Sequence, residues 1–123
     1  MRKQYYFRPS SRGLLAWDVD RLVRLSSSLP RKRVRLTEIR ELEEDWCGED
    51  ERPTWRAMVE HMRLIEAADL SFAIILAANG AVMDGMHRVA KAALQGHDGI
   101  EAVQFSEDPE PDHVGLGPNE LPY

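Results

Sequence analysis

Ile74-Ile75-Leu76-Ala77-Ala78-Asn79-Gly80-Ala81-Val82-Met83-Asp84-Gly85-Met86-His87-Arg88-Val89-Ala90-Lys91-Ala92-Ala93-Leu94-Gln95-Gly96 holds several local structures in succession. Phe72 to Leu76 is a continuous apolar run of strand length, β-branched at its centre, which predicts a central strand buried on both faces. Asn79-Gly80 then supplies the strongest short-range hairpin signal. Ala81-Val82-Met83 returns as a short second strand, and Asp84-Gly85 stops it. Met86 to Leu94 is alanine-rich and helical in character, with Gly96 as its C-terminal stop.

Upstream of this stretch, Asp18 to about Ser27 is predicted helical. Asp18 can cap it, Val19, Leu22 and Val23 lie near one face, and Pro30 ends it. Arg31 to Leu36 alternates, with Val34 and Leu36 on one side and Arg33 and Arg35 on the other, as in a half-exposed strand. Thr37-Glu38-Ile39 begins a short turn or helix. Glu41 to Arg52 is an acidic loop, and Pro53 suits the first turn of the helix that follows. In that helix Trp55, Met58, Val59, Met62, Ile65 and Glu66 follow a spacing of three and four with only Glu66 polar, a stripe expected in the core. Downstream, Ile100 to Phe105 alternates roughly as a last strand. The predicted fold class is therefore α+β, a small mixed β-sheet with packed helices.

The flanks differ from this centre. Residues 1–13 read as an arm in which Tyr5, Tyr6 and Phe7 are interleaved with Arg2, Lys3, Arg8 and Arg12, residues 14–105 as the domain, and 106–123 as an acidic, proline-rich tail on the surface or disordered. Residues 1–40 carry eleven Arg/Lys and three Asp/Glu within a chain of net charge −5. A basic arm of this kind can contact nucleic acid; the simpler reading is that the two halves neutralise each other, within the fold or across a dimer. The longest apolar run, Leu70 to Ala78, is interrupted by Ser71 and is far too short to span a membrane. The first residues lack the apolar stretch of a secretory signal, and Cys47, the only cysteine, can form no intrachain disulfide. A cytoplasmic protein is expected.

The chemistry concentrates at Asp84 to Arg88. A strand ends, a glycine permits close approach, and a helix begins whose first N–H groups attract anions. His87 and Arg88 add donors and charge within the same turn. Asp84 can cap the helix, bind a metal ion held by phosphates, or take a proton from a hydroxyl. The same residues also fit a purely structural role, with Asp84 as cap and Arg88 in a surface ion pair. The other histidines, His61 in the amphipathic helix, His97 in a turn and His113 in the tail, are read as incidental.

In element order and in this box, residues 31–105 resemble the ParB/sulfiredoxin superfamily, whose domains carry Gly-x-[His/Arg]-Arg at the same junction. The resemblance implies that the box helix cradles the phosphates of ATP, ADP or CTP, with Mg2+ as the accompanying ion. Gly85, His87 and Arg88 match the box, so Gly85, Met86, His87 and Arg88 are the candidate phosphate-binding residues. Sulfiredoxins keep a reactive cysteine before the His-Arg pair; Met86 stands there, which removes that nucleophile. Chromosome-partitioning members carry an Arg-Arg pair and a downstream helix-turn-helix, and this chain has neither. Small-molecule kinases of the superfamily use an Asp-Gly-x-His-Arg box with a glutamate from an earlier loop. By that likeness Asp84 and Glu44 are the candidate catalytic carboxylates, Glu44 sharing its loop with Glu41 and Glu43. As a plain acidic loop those three glutamates are simply solvated. The expected function is binding of a nucleotide or other phosphorylated small molecule, with phosphoryl transfer as its chemical extension. The alternative is a non-enzymatic adaptor whose basic N-terminal arm meets nucleic acid or a protein partner.

Overall fold

The structure is a computed structural model that describes residues 3–46 and 52–123; Cys47 and the rest of 47–51 lie outside the described residues. In chain order the strands and helices are β1 (Tyr5–Arg8), β2 (Leu15–Asp18), α1 (Val19–Ser26), β3 (Lys32–Arg35), α2 (Trp55–Ala67), β4 (Ile74–Leu76), β5 (Val82–Asp84), α3 (Met86–Leu94), β6 (Gly99–Gln104) and β7 (His113–Val114). Three 3-10 turns, Leu36–Glu38, Arg40–Glu43 and Pro118–Glu120, complete the elements. The fold is α+β.

The four-stranded sheet runs β3-β6-β4-β5, with β4 and β6 parallel and the other pairs antiparallel. β4 lies inside it, and its alternation feeds two cores. Ile74 and Leu76 face α3, packing with Val34, Val82, Val89 and Ala92. Ile75 faces the other way, into Leu15, Trp17, Leu22, Met83 and Phe105. A strand buried on both faces has no polar side, which explains the uninterrupted apolar run. The Asn79-Gly80 hairpin forms as expected: Gly80 takes φ +88°, and the Asn79 side chain accepts the Ala81 N–H at 2.9 Å. Asp18 caps α1 by accepting the Asp20 N–H at 2.9 Å.

The flanks build a second sheet, β1-β2-β7, so residues from the expected arm and the expected tail meet on either side of β2. Trp17 on β2 is 2% exposed and donates its indole N–H to Pro109 O at 2.7 Å. Arg8 pairs with Asp108 at 2.9 Å and lies over the Trp17 ring, Arg21 pairs with Asp112, and Lys3 pairs with Asp18. The first two pairs join the basic first part of the chain to its acidic end.

Two expectations about α2 are corrected. Pro53 is not in its first turn; Thr54 is the N-cap, accepting the Ala57 N–H at 3.0 Å, so the helix starts after it. The Trp/Met stripe is not core: Trp55 is 89% exposed, and Met58, Val59 and Met62 are exposed as well. The reason is layering. α2 rests on α3 and not on the sheet, and the side it turns inward runs through Ala57, His61, Ile65 and Ala68, all half-buried. On α1 likewise, Leu22 is fully buried while Val23 is exposed.

Candidate functional site

β5 ends at Asp84, Gly85 follows, and α3 starts at Met86. Gly85 is the N-cap residue at φ +111°, a conformation that a side chain would strain, and no side chain caps the helix. Asp84 therefore does not serve as the cap. Its carboxylate instead accepts from Arg88 Nη2 at 2.9 Å, an i,i+4 ion pair with side chains 24% and 16% exposed. The glycine makes this possible: a Cβ on Gly85 would stand 2.6 Å from Ile74 Cγ2 and 2.9 Å from Arg88 Nη2. Gly85 thus clears space for the chain's own Ile74 and Arg88. One guanidinium N–H is spent on Asp84, and Arg88 makes no other side-chain hydrogen bond among the described residues.

Among the described residues four clefts touch this junction, and three of them are lined by His87. The first, about 430 Å3, has Asp84 to Arg88 as one wall and Leu64, Asp69 and Phe72 among the residues opposite. The second, about 300 Å3, lies across α3 and is lined by Glu41, Glu44, Asp45, Trp46, His61, Met86 and His87, among others. The third, about 790 Å3, opens toward β1 and the C-terminal segment, with Lys3, Tyr5 and Asn119 facing Asp84 to His87. His87 borders all three. Asp84 and Glu44, the two candidate carboxylates, do not line one cleft; Met86 and His87 stand between them. Glu41 has a backbone role, accepting the Val82 N–H at 2.6 Å through Oε2, while its Oε1 is buried without a partner among the described residues. Glu43 is exposed and lines none of these clefts.

No family model, curated protein or solved structure matches the chain.

His61 and Trp46 belong to the site although the sequence reading placed one as incidental and the other in a loop. The Trp46 and His61 rings stack at 4.7 Å, and His61 meets His87 edge-on at 5.2 Å. The signal that could have found His61 is the spacing of four through Ala57, His61 and Ile65, which marks the seam against α3. Trp46 reaches the site through tertiary contact and carries no such signal. Among the described residues no group of three or more His, Cys, Asp or Glu side chains is placed to hold a metal ion. An uncapped helix start, a half-buried arginine and an imidazole come together at the junction, and groups of these kinds are the ones proteins use to hold anions.

His87 is held below its ordinary pKa near 6.5 by burial, then by His61, with Arg88 adding to the effect and Asp84 opposing it. The folded state thus binds fewer protons than the unfolded chain as pH falls below about 6.5, so protonation favours unfolding. This contribution is intact above that value and is lost as pH falls through it toward the lower folded pKa. Asp69, held low by the Ser71 hydroxyl and N–H, sheds its contribution only below its ordinary 3.8. Denaturant melts from pH 7.5 to 5 should therefore show stability falling with pH, and His87→Gln should flatten the slope. An unchanged slope in His87→Gln would remove His87 as the cause.

Proposed function

We propose that this chain is a ParB/sulfiredoxin-like domain that binds a nucleotide or another phosphorylated small molecule at the start of α3. One observation carries the reading. The helix start has no side-chain cap, and the carboxylate best placed to cap it is engaged by Arg88 instead. The residues of that helix start line clefts of about 430 and 790 Å3, and about 300–1,000 Å3 is usual for ligand sites. In this reading phosphates rest on the first turn of α3 and on the free donors of Arg88, with His87 at the edge. ATP, ADP and CTP are the nucleotides to examine. A Mg2+ ion would draw most of its ligands from phosphate oxygens and water, with Asp84 as the nearest protein carboxylate. Phosphoryl transfer to a small hydroxyl compound is the activity to look for at the same place. Asp84 stands in the phosphate cleft and Glu44 in the neighbouring one, so Asp84 has the better claim as base. A cytoplasmic location, where such nucleotides are abundant, is part of the proposal; among the described residues no helix is long and apolar enough to cross a membrane.

The adaptor reading has less support, because Lys3 and Arg8 of the N-terminal segment are already paired with Asp18 and Asp108. A thermal-shift series with ATP, ADP and CTP, with and without Mg2+, tests the proposal. A nucleotide at 100 times its dissociation constant stabilises by about 2.7 kcal/mol. Absence of any shift at millimolar nucleotide sinks the reading. Salt-sensitive binding to random DNA without a nucleotide shift would favour the adaptor.

A further inference from the structure

Phe72 is 60% exposed, on the short turn between α2 and β4. Scattered exposed apolar residues are ordinary, but this one is held in place from several directions. The Ser71 N–H and hydroxyl both donate to Asp69 Oδ1, at 2.9 and 2.7 Å, and the Phe72 N–H closes the turn onto Asp69 O. Arg31 Nη1 donates to Ser71 O at 2.9 Å, tying the turn to the start of β3. Lys91 Nζ donates to Glu66 O and Ala68 O at 2.8 and 2.7 Å, tying the end of α2 to α3, the helix that carries Arg88. The turn that carries the ring is therefore held from several sides, and the end of α2 just before it is tied to α3. It stands between two cavities that both reach Asp84 and Arg88. In the one that also contains Gly85 and His87, Leu64, itself 54% exposed, adds to the apolar wall.

Other aromatic rings near the junction are occupied. Trp46 stacks on His61, and Tyr5 packs against Phe7, His113 and Tyr123. Phe72 has no ring partner among the described residues, and it lines the same clefts as Arg88. An apolar, flat surface opposite a phosphate cradle suits a ligand with a flat end and an anionic end.

We infer that Phe72, backed by Leu64, is the platform on which the base of a nucleoside phosphate stacks while its phosphates sit on α3. This rests on the phosphate-binding reading above and narrows its ligand class from phosphorylated compounds in general to nucleoside phosphates. Stacking is tolerant of base identity, because every base has a π face. Both ADP and CDP should therefore bind more tightly than pyrophosphate, which offers the same anionic end without a base.

The test is calorimetric titration of ADP, CDP and pyrophosphate into the full chain and into Phe72→Ala and Phe72→Tyr. The expected result is a loss of about tenfold in ADP and CDP affinity in Phe72→Ala, pyrophosphate affinity unchanged, and recovery in Phe72→Tyr. The exposed position keeps Phe72→Ala folded, and unchanged pyrophosphate binding confirms it. Nucleotide affinity equal to that of pyrophosphate in the unaltered chain, or untouched by Phe72→Ala, overturns the platform while leaving the phosphate cradle standing. Failure of the unaltered chain to bind any of the three overturns the phosphate reading itself, and the platform with it.

Discussion

Gly85→Ala should cost about 3 kcal/mol or more of stability, a large part of the roughly 5–15 kcal/mol that holds a domain of this size. Two costs add. At φ +111° an alanine is strained, by about 1–3 kcal/mol. Its Cβ would also stand 2.6 Å from Ile74 Cγ2 and 3.0 Å from Ile74 Cβ. Ile74 is fully buried in the central strand and cannot retreat without disturbing the α3 side of the core. Overpacking of this kind costs about 1–3 kcal/mol. Gly96→Ala is the control: φ is +78° but nothing lies within 4 Å, so only the backbone cost of about 1 kcal/mol applies. Urea midpoints of the two variants measure the difference. Equal losses at Gly85 and Gly96 would mean that the close approach of β4 to the box is not as described.

Under the proposed phosphate-binding function, Arg88→Ala should weaken nucleotide binding by about a hundredfold or more, and it should also lower the stability of the free protein. The first effect follows from losing a charge-assisted, multi-donor contact to phosphate. The second follows from Asp84, left half-buried without its partner at a cost of about 1–3 kcal/mol. Sequence alone offered a phosphate contact and a surface ion pair as alternative roles for Arg88; the structure shows the ion pair, with Asp84 as the partner. The double variant Asp84→Ala/Arg88→Ala separates them. It should be more stable than Arg88→Ala, since no orphaned carboxylate remains, yet should still not bind nucleotide. Coupling of this size is expected only between groups in direct contact. Nucleotide affinity in Arg88→Ala equal to that of the unaltered chain would take Arg88 out of the site.

Much of the fold was legible because it rests on local rules. The Phe72 to Leu76 run, the Asn79-Gly80 turn, the Asp18 cap and the glycine stop at Gly96 each describe a preference of the backbone within a few residues, and each is realised except at the front of the run, where Phe72 lies exposed on the turn before β4. The α2 stripe misled because periodicity reports that a face is apolar and says nothing of what lies opposite it. Trp55 and Met62 follow a helical spacing as good as any in the chain, yet α3 takes the neighbouring face of α2. The acidic loop was equally opaque. Glu41, Glu43 and Glu44 look alike in sequence, while one secures the Val82 backbone, one faces solvent and one borders the cleft beside His87.

By itself, then, the sequence determined an α+β chain and marked its strand–turn–helix junction at Asp84 to Arg88 as the place where hydrogen-bond donors and charge gather. Hydrophobic periodicity and turn chemistry act between near neighbours, and near neighbours suffice to read them. Tertiary structure alone decided that Asp84 turns to Arg88 and leaves α3 uncapped. It also decided that His61 and Trp46 close on His87, that Phe72 lines a cleft with Arg88, and that the two ends of the chain flank β2 in one sheet. Those arrangements depend on which surfaces pack together across tens of residues, and on where a buried carboxylate or ring finds its lowest free energy. Neither is written in any window of neighbouring residues.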